Sequence, residues 1–511
     1  MDGTGAPPRQ ADLAVVGDAI AEIGELSGAA DETIDASGLI LSPGFIDLHS
    51  HTDYLLLANP LAESKLLQGV TCEVGGNCGS SAAPLNPEQT RRAAEALAPF
   101  QIEVDWQETD QFLARLEKAG IGPNFATLVG HGNLRSRIVG EGAGKATPEE
   151  TRKMKEEAQS ALQQGAFGLS AGLIYPPGCY ADLEELAAVA GAARGRGFFA
   201  LHIRDEGAGL LEAVEEALEI CRRSGTPLQI SHHKVTGKKN WGLVGESVEM
   251  IEKARRQGLE VSADIYPYTA TNTSLSAVLP DWTKDGGREA LLARLRDVVA
   301  LKRIEKEWGP RALEAEQWEE YVVSLTFDME NKSAEGSKLS EICRAKKRRP
   351  LEVIASLLLA DAGRTEIIRF AIAEEDIETV LRQPWVMIGS DAAAKDFRSN
   401  WGRPHPRAFG AFARFLAEYA RERAIFSLPE AIRKMTSLPA WRLGLQDRGR
   451  IAPGCKADLV VFDFGAIADR ATYAQPLRAP QGISLVMVNG VIAVREGELT
   501  GARPGAALRR S

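Results

Sequence analysis

The sequence predicts an α/β protein: a closed (β/α)8 barrel of parallel strands, with a small β domain drawn from both chain ends. Strand and helix patterns alternate through roughly 400 central residues, which is the signature of a parallel sheet with crossover helices. Both ends read as strands alone. The 511 residues suffice for a full barrel and one smaller unit. An open doubly wound sheet is the alternative that the same alternation allows.

Taken in order, Ala11–Val16 and Ala19–Gly24 are the opening strands, with turn residues between them. Residues 1–42 are grouped with 447–511, because Ala457–Asp463 and Leu485–Ala493 are again apolar strands, the latter around an Asn-Gly hairpin signal. Residues 43–446 form the barrel. Its strands are expected at Phe45–Leu48, Phe125–Val129, Phe167–Leu169, Phe198–Leu201, Leu228–Ile230, Val261–Ala263 and Val386–Ile388, with another ending before Cys78. Helical patterns follow, as at Pro148–Gln164, Ala208–Arg223 and Gly245–Arg256. From Asp281 to Lys347 the rhythm gives way to charged helical sequence rich in Arg, Glu and Trp, expected to be an inserted lid.

Composition narrows the function. Hydrophobic content of 44% and charged content of 25% suit an ordinary globular protein. No apolar run approaches the roughly 20 residues that span a bilayer, and the first residues lack the pattern of a signal peptide. Six scattered cysteines do not form a disulfide framework, so the cytoplasm is the expected compartment. A net charge of -10 argues against nucleic acid as a partner. The basic run 346–349 reads as a solvated helix end.

The chain has seven histidines, and their placement is the main clue. His49 and His51 alternate at the end of a strand, so both imidazoles point to one face and can reach one cation. His202 and His232 end two further strands, and Asp391 follows a fourth. A barrel gathers those ends on one rim, where active sites are built. An N-cap is the structural reading of Asp391, but the four histidines favour a ligand or base. A two-metal site needs a bridging group. The fourth strand, 165–172, holds no lysine that could be carboxylated; the nearest candidate is Cys78, between flanking glycines, against Glu73 as a competing bridge and a plain packing role for the cysteine. Cys72, Cys221, Cys343 and Cys455 read as packing residues.

Together the motifs resemble the D-aminoacylase (N-acyl-D-amino-acid deacylase) family of the amidohydrolase superfamily, along nearly the whole chain. The most specific are Pro-Gly-Phe-Ile-Asp-Leu-His-Ser-His (43–51), Gly-Asn-Cys-Gly (76–79), Gly-His-Gly-Asn-Leu-Arg (130–135), Gly-Leu-Ile-Tyr-Pro-Pro-Gly (172–178), Ser-His-His-Lys (231–234), Tyr-Pro-Tyr-Thr-Ala (266–270), Gly-Ser-Asp (389–391) and His-Pro-Arg (405–407). The resemblance implies a TIM-like metal-dependent hydrolase barrel beside a small β-sandwich, and zinc held by His49, His51, Cys78, His202, His232 and Asp391. It implies one tight zinc and a weaker second, with Cys78 as the bridge and His232 rather than His233 as the ligand. Substrate contacts carry over onto Tyr175, Lys234, Tyr266 and Arg407, and onto Asn272 where the family has serine. Two further departures are an opening strand expected to be missing and a longer 391–405 loop.

The implied reaction is hydrolysis of a small-molecule N-acyl-D-amino acid, with Asp391 as general base and then general acid. His131 is expected to support the ligands from behind or to serve the structure, His405 to sit in a turn beside Arg407, and Asp47 and Asp53 to orient ligand imidazoles, with a solvated loop as the equal alternative for Asp53. A cyclic-amide hydrolase, or a deacylase of other N-acyl compounds, would share the metal set. A non-catalytic scaffold would have little reason to keep it.

Overall fold

Eight short parallel strands close into a barrel in the computed structural model, which describes residues 1–399 and 401–510. In chain order they are Phe45–Asp47, Val70–Gly75, Asn124–Thr127 continued as Val129–Gly130, Gly168–Gly172, Phe198–His202, Leu228–Ile230, Val261–Ile265 and Val386–Ile388. Each pairs in parallel with its neighbours in sequence order, for example Leu169 with Phe199 and Leu228 with Val261. The seam closes where Asp391 N donates to His49 O at 2.8 Å and His51 N to Ala392 O at 3.3 Å. Every residue of Phe198–His202 is buried, as a strand covered on both faces requires.

Local signals set the surrounding helices. Pro148–Gln163 opens with a Thr147–Glu150 capping box and a proline in its first turn, and buries Met154, Ala158, Ala161 and Leu162. Leu210–Ser224 stops at Gly225, which takes the left-handed φ of 65° that ends helices.

The chain ends build a five-stranded antiparallel sheet in which Ile40–Pro43 pairs with Leu459–Phe462. The hairpin Asp12–Val16/Ala19–Gly24 lies against it through Ile20 N to Cys455 O at 2.8 Å. Ile20, Cys455, Ala457 and Leu459 form the core between the two layers, giving a small β-sandwich.

The excursion between the seventh and eighth strands is larger than the charged stretch 281–347 suggests. It contains a three-stranded antiparallel sheet, Ala270–Ser274, Glu366–Phe370 and Tyr321–Leu325, packed with helices such as Gly287–Arg296 and Pro350–Ala360. Leu275, Ile304, Val323, Leu339 and Leu357 make a separate core. Two of its strands lie outside the charged stretch. The third, Tyr321–Leu325, is too short to stand out inside helical composition.

Candidate active site

The strand ends open into a cleft of about 2110 Å³ that the excursion roofs, lined among others by His51, Cys78, His202, His232, Tyr266, Asp391 and Arg407. At its floor the histidines converge on one sulfur. Cys78 Sγ lies 3.3 Å from His49 Nε2 and 3.5 Å from His232 Nε2. Asp391 Oδ1 is 3.0 Å from His51 Nε2 and 3.5 Å from His49 Nε2. Two donor sets result, His49–His51–Cys78–Asp391 and Cys78–His202–His232, each with its ligand atoms within 4.8 Å of one another. Cys78 belongs to both.

These donors fit zinc. Thiolate, imidazole and carboxylate are its usual ligands, and both ring nitrogens of His202 are buried without a hydrogen-bond partner, as a side chain awaiting a cation would be. Burial alone would raise the Cys78 thiol, but the charges of His49 and His232 hold it well below its ordinary value. Burial pushes His202 down, aided by His232, towards the neutral form that a metal needs. Cys78, His232 and Asp391 have left-handed φ values of 51°, 36° and 50°. Such backbone persists where its surroundings over-determine it, at a cost of about 1–3 kcal/mol per residue.

Asp391 is buried, which opposes ionisation, yet Arg407, His232 and His51 hold its carboxyl well below the usual range. Arg407 Nη1 is 2.8 Å from Asp391 Oδ2, and its guanidinium lies 4.5 Å over the Tyr266 ring. Arg407 Nε and Tyr266 Oη are buried and lack hydrogen-bond partners. Tyr175 Oη meets Thr273 Oγ1 at 3.1 Å, and its ring packs edge-on to His202. Lys234, expected to touch substrate, is not a free cation, because Glu206 holds its ammonium at 2.5 Å and His232 Nδ1 lies at 2.9 Å. Asn272 reaches the cleft wall, where it donates to Glu366 and accepts from Ser324, both at 3.3 Å.

The other sequence expectations sort by contact. His233 turns away and pairs with Ser247 at 3.0 Å. His131 is tied to Glu185 at 2.9 Å beside Arg135. His405 bonds Ala270 O and accepts from Arg407 N, at the turn expected of it. The 391–405 loop can be followed on both sides of Asn400, which lies outside the described residues. Asp47 does not orient an imidazole. It binds the His49 backbone, Ser390 and Lys65 instead. Asp53 accepts from Gly76 N at 2.8 Å, and burial, partly offset by His51, pushes it up to about 6. Glu73 is engaged by Ser50, Thr52 and Lys65, outside both donor sets.

Three residues went unnoticed in the sequence. Asp264 accepts from His49 Nδ1 at 2.9 Å, and Glu206 lies 2.9 Å from His232 Nδ1. Lys65, fully buried, grips Asp47, Ser390 Oγ and Ala392 O at 2.6–2.8 Å, on both sides of Asp391. Asp264 had a signal, a carboxylate inside the apolar strand Val-Ser-Ala-Asp-Ile. Lys65 had none.

A model described as "Amidohydrolase family" matches residues 32–494. The chain is 37% identical to the N-acyl-D-glutamate deacylase of Alcaligenes xylosoxydans xylosoxydans, over 100% of this chain and 95% of that protein. It is 36% identical to the D-aminoacylase of the same organism, over 100% of this chain and 96% of that protein. The solved structure of the Bordetella Bronchiseptica N-acyl-D-glutamate deacylase with zinc and a phosphonate inhibitor matches with a TM-score of 0.85 at 35% identity, covering 99% of this chain and 97% of that one.

Proposed function

From the premise that the chain belongs to the amidohydrolase family, we propose that it is a zinc-dependent deacylase of N-acyl-D-amino acids, releasing a carboxylate and a free D-amino acid. The observation that carries this reading is the convergence of both donor sets on Cys78, with ionised Asp391 and Arg407 beside them. His49, His51, Cys78, His202, His232 and Asp391 would hold the metal. Bound there, zinc would supply Lewis acidity, polarising the scissile carbonyl and lowering the pKa of water towards about 7.

The chain's own residues perform the rest. Asp391 takes the proton of the attacking water, whose oxygen bonds to the carbonyl carbon, and passes it to the amide nitrogen as the C–N bond breaks. Its ionisation in the resting site suits it to start as a base. Arg407 and Tyr266, which line the cleft with unsatisfied donors, Arg407 beside Asp391, hold the substrate's α-carboxylate one carbon from that nitrogen. Tyr175 lines the cleft with its ring edge-on to His202. Glu206 accepts the Nδ1 hydrogen of His232, leaving Nε2 as its ligand atom, and it also holds Lys234, which adds field rather than a free hand. Asn272 holds the wall through Glu366 and Ser324. All six cysteines are free, which supports a reducing cytoplasm as the compartment. Among the described residues no helix is long and apolar enough to cross a membrane.

The test is amine release from a panel of N-acyl-D- and N-acyl-L-amino acids, with hydantoins included, before and after zinc is added. Turnover confined to ring amides, or indifferent to zinc, sinks the proposal. Hydrogen bonds to charged groups contribute about 1.5–3 kcal/mol, so Arg407→Met should cut kcat/KM by roughly 10- to 150-fold. An N-acyl amine without the carboxylate should be slow with both proteins and lose little more. Equal slowing on both substrates makes Arg407 structural.

A further inference from the structure

We propose that a one-way hydrogen-bonded chain through the barrel interior, Arg442–Ser262–Gln229–Asp264, is a positioning device that fixes which nitrogen of His49 faces the metal. It rests on the reading of the site as a zinc centre.

Arg442 belongs to the helix Ser437–Leu443, at the end of the barrel away from the cleft, and is anchored by Glu260 Oε1 at 2.9 Å. Its Nε and Nη2 donate to Ser262 Oγ at 2.9 and 2.5 Å. Ser262 donates in turn to Gln229 Oε1 at 2.5 Å, and Gln229 Nε2 to Asp264 Oδ2 at 2.8 Å. Asp264 Oδ1 meets His49 Nδ1 at 2.9 Å and also accepts from His232 N at 2.8 Å.

The direction of this chain is forced. Arginine can only donate, so the Ser262 oxygen is taken and its single hydrogen must go to the next residue. That places the Gln229 carbonyl towards Ser262 and its amide hydrogens towards Asp264. Asp264 is then an acceptor on both oxygens, and His49 must keep its hydrogen on Nδ1. Nε2 is left as the ligand atom, beside Cys78 Sγ. The side chains are almost fully buried: Gln229 is 1% exposed, Ser262 0%, Asp264 2% and Arg442 5%. Barrel interiors are ordinarily filled by branched apolar side chains. A polar file there is costly unless every member is satisfied, and here every link is made.

Zinc affinity of the full-length protein, measured by competition with a chromophoric chelator, tests the device. Ser262→Ala, Gln229→Met and Arg442→Met cut the chain at three points, and each should weaken zinc about 10–100-fold. Arg442→Lys keeps a terminus that only donates and should stay within about threefold of wild type. In zinc-loaded protein isotopically labelled at histidine, the Nδ1–H resonance of His49 should move in the severed variants and hold in Arg442→Lys. Ser262→Ala removes a single oxygen and serves if the larger changes do not fold. Wild-type zinc affinity in the severed variants, or equal losses in Arg442→Met and Arg442→Lys, overturns the device. A wild-type protein that binds no zinc overturns the metal reading itself, and neither result depends on which substrate is hydrolysed.

Discussion

Asp391 sits between two histidines and an arginine on backbone that few residues tolerate, and Asn is one of the few that do. Asp391→Asn should therefore keep the fold while losing activity by about 10²–10⁴-fold, the usual weight of a general acid–base group. Near-normal turnover rejects the assignment. Cys78→Ser should release the tight zinc, because a hydroxyl is a far poorer ligand than thiolate at neutral pH. Full zinc retained through dialysis would mean that the thiolate is not the bridge, and Glu73, held by Ser50, Thr52 and Lys65, is not placed to replace it. The residues that end strands were legible in the sequence, since strand periodicity places His49, His51, His202 and His232 on one rim. Their partners were not. Asp264 is 215 residues from His49, and Lys65 is 325 residues from Ser390, so nothing local joins them.

At the scale of elements, the roof over the cleft has a core of its own but thin contacts with the opposite wall. Arg288 meets Glu95 at 3.2 Å, Ala143 N donates to Asp285 at 2.8 Å, and Gly286 N to Glu141 O at 3.2 Å. Opening as a body breaks those contacts and leaves Val323 and Ile367 packed. Amides at Ala143 and Gly286 should thus exchange hydrogen faster than those of Val323 and Ile367, and slow when a product or inhibitor binds. Identical protection with and without ligand counts against a moving roof. Seven of the barrel strands could be placed from their apolar runs. The roof's sheet could not, because Tyr321–Leu325 and Glu366–Phe370 become strands only by pairing with each other and with Ala270–Ser274 across long insertions.

For the whole molecule, stability should respond to pH through Lys434, which lies under the eighth strand and bonds Val386 O at 3.0 Å. Burial pushes its amine down to about 7, whereas an unfolded lysine titrates near about 10.4. Between those values the unfolded chain binds more protons, so the fold gains stability as pH rises through about 7 and the gain ends near about 10.4. Lys434→Met should flatten that rise, changing the difference in unfolding free energy between variant and wild type by about 2 kcal/mol from pH 7 to 9. Parallel curves for the two proteins over that range would falsify the assignment. The barrel seam carries a consequence of another kind, one of timing during synthesis. His51 and Asp391, which face each other across it, are 340 residues apart in the chain. At about 5–20 residues per second, His51 leaves the ribosome roughly 17–70 s before its carboxylate. A nascent chain arrested short of Val386 would own five metal donors, His49, His51, Cys78, His202 and His232, and an unzipped barrel, but no base. Such arrested chains should capture zinc without cleaving substrate, and hydrolysis should begin only once the last strand has emerged and docked.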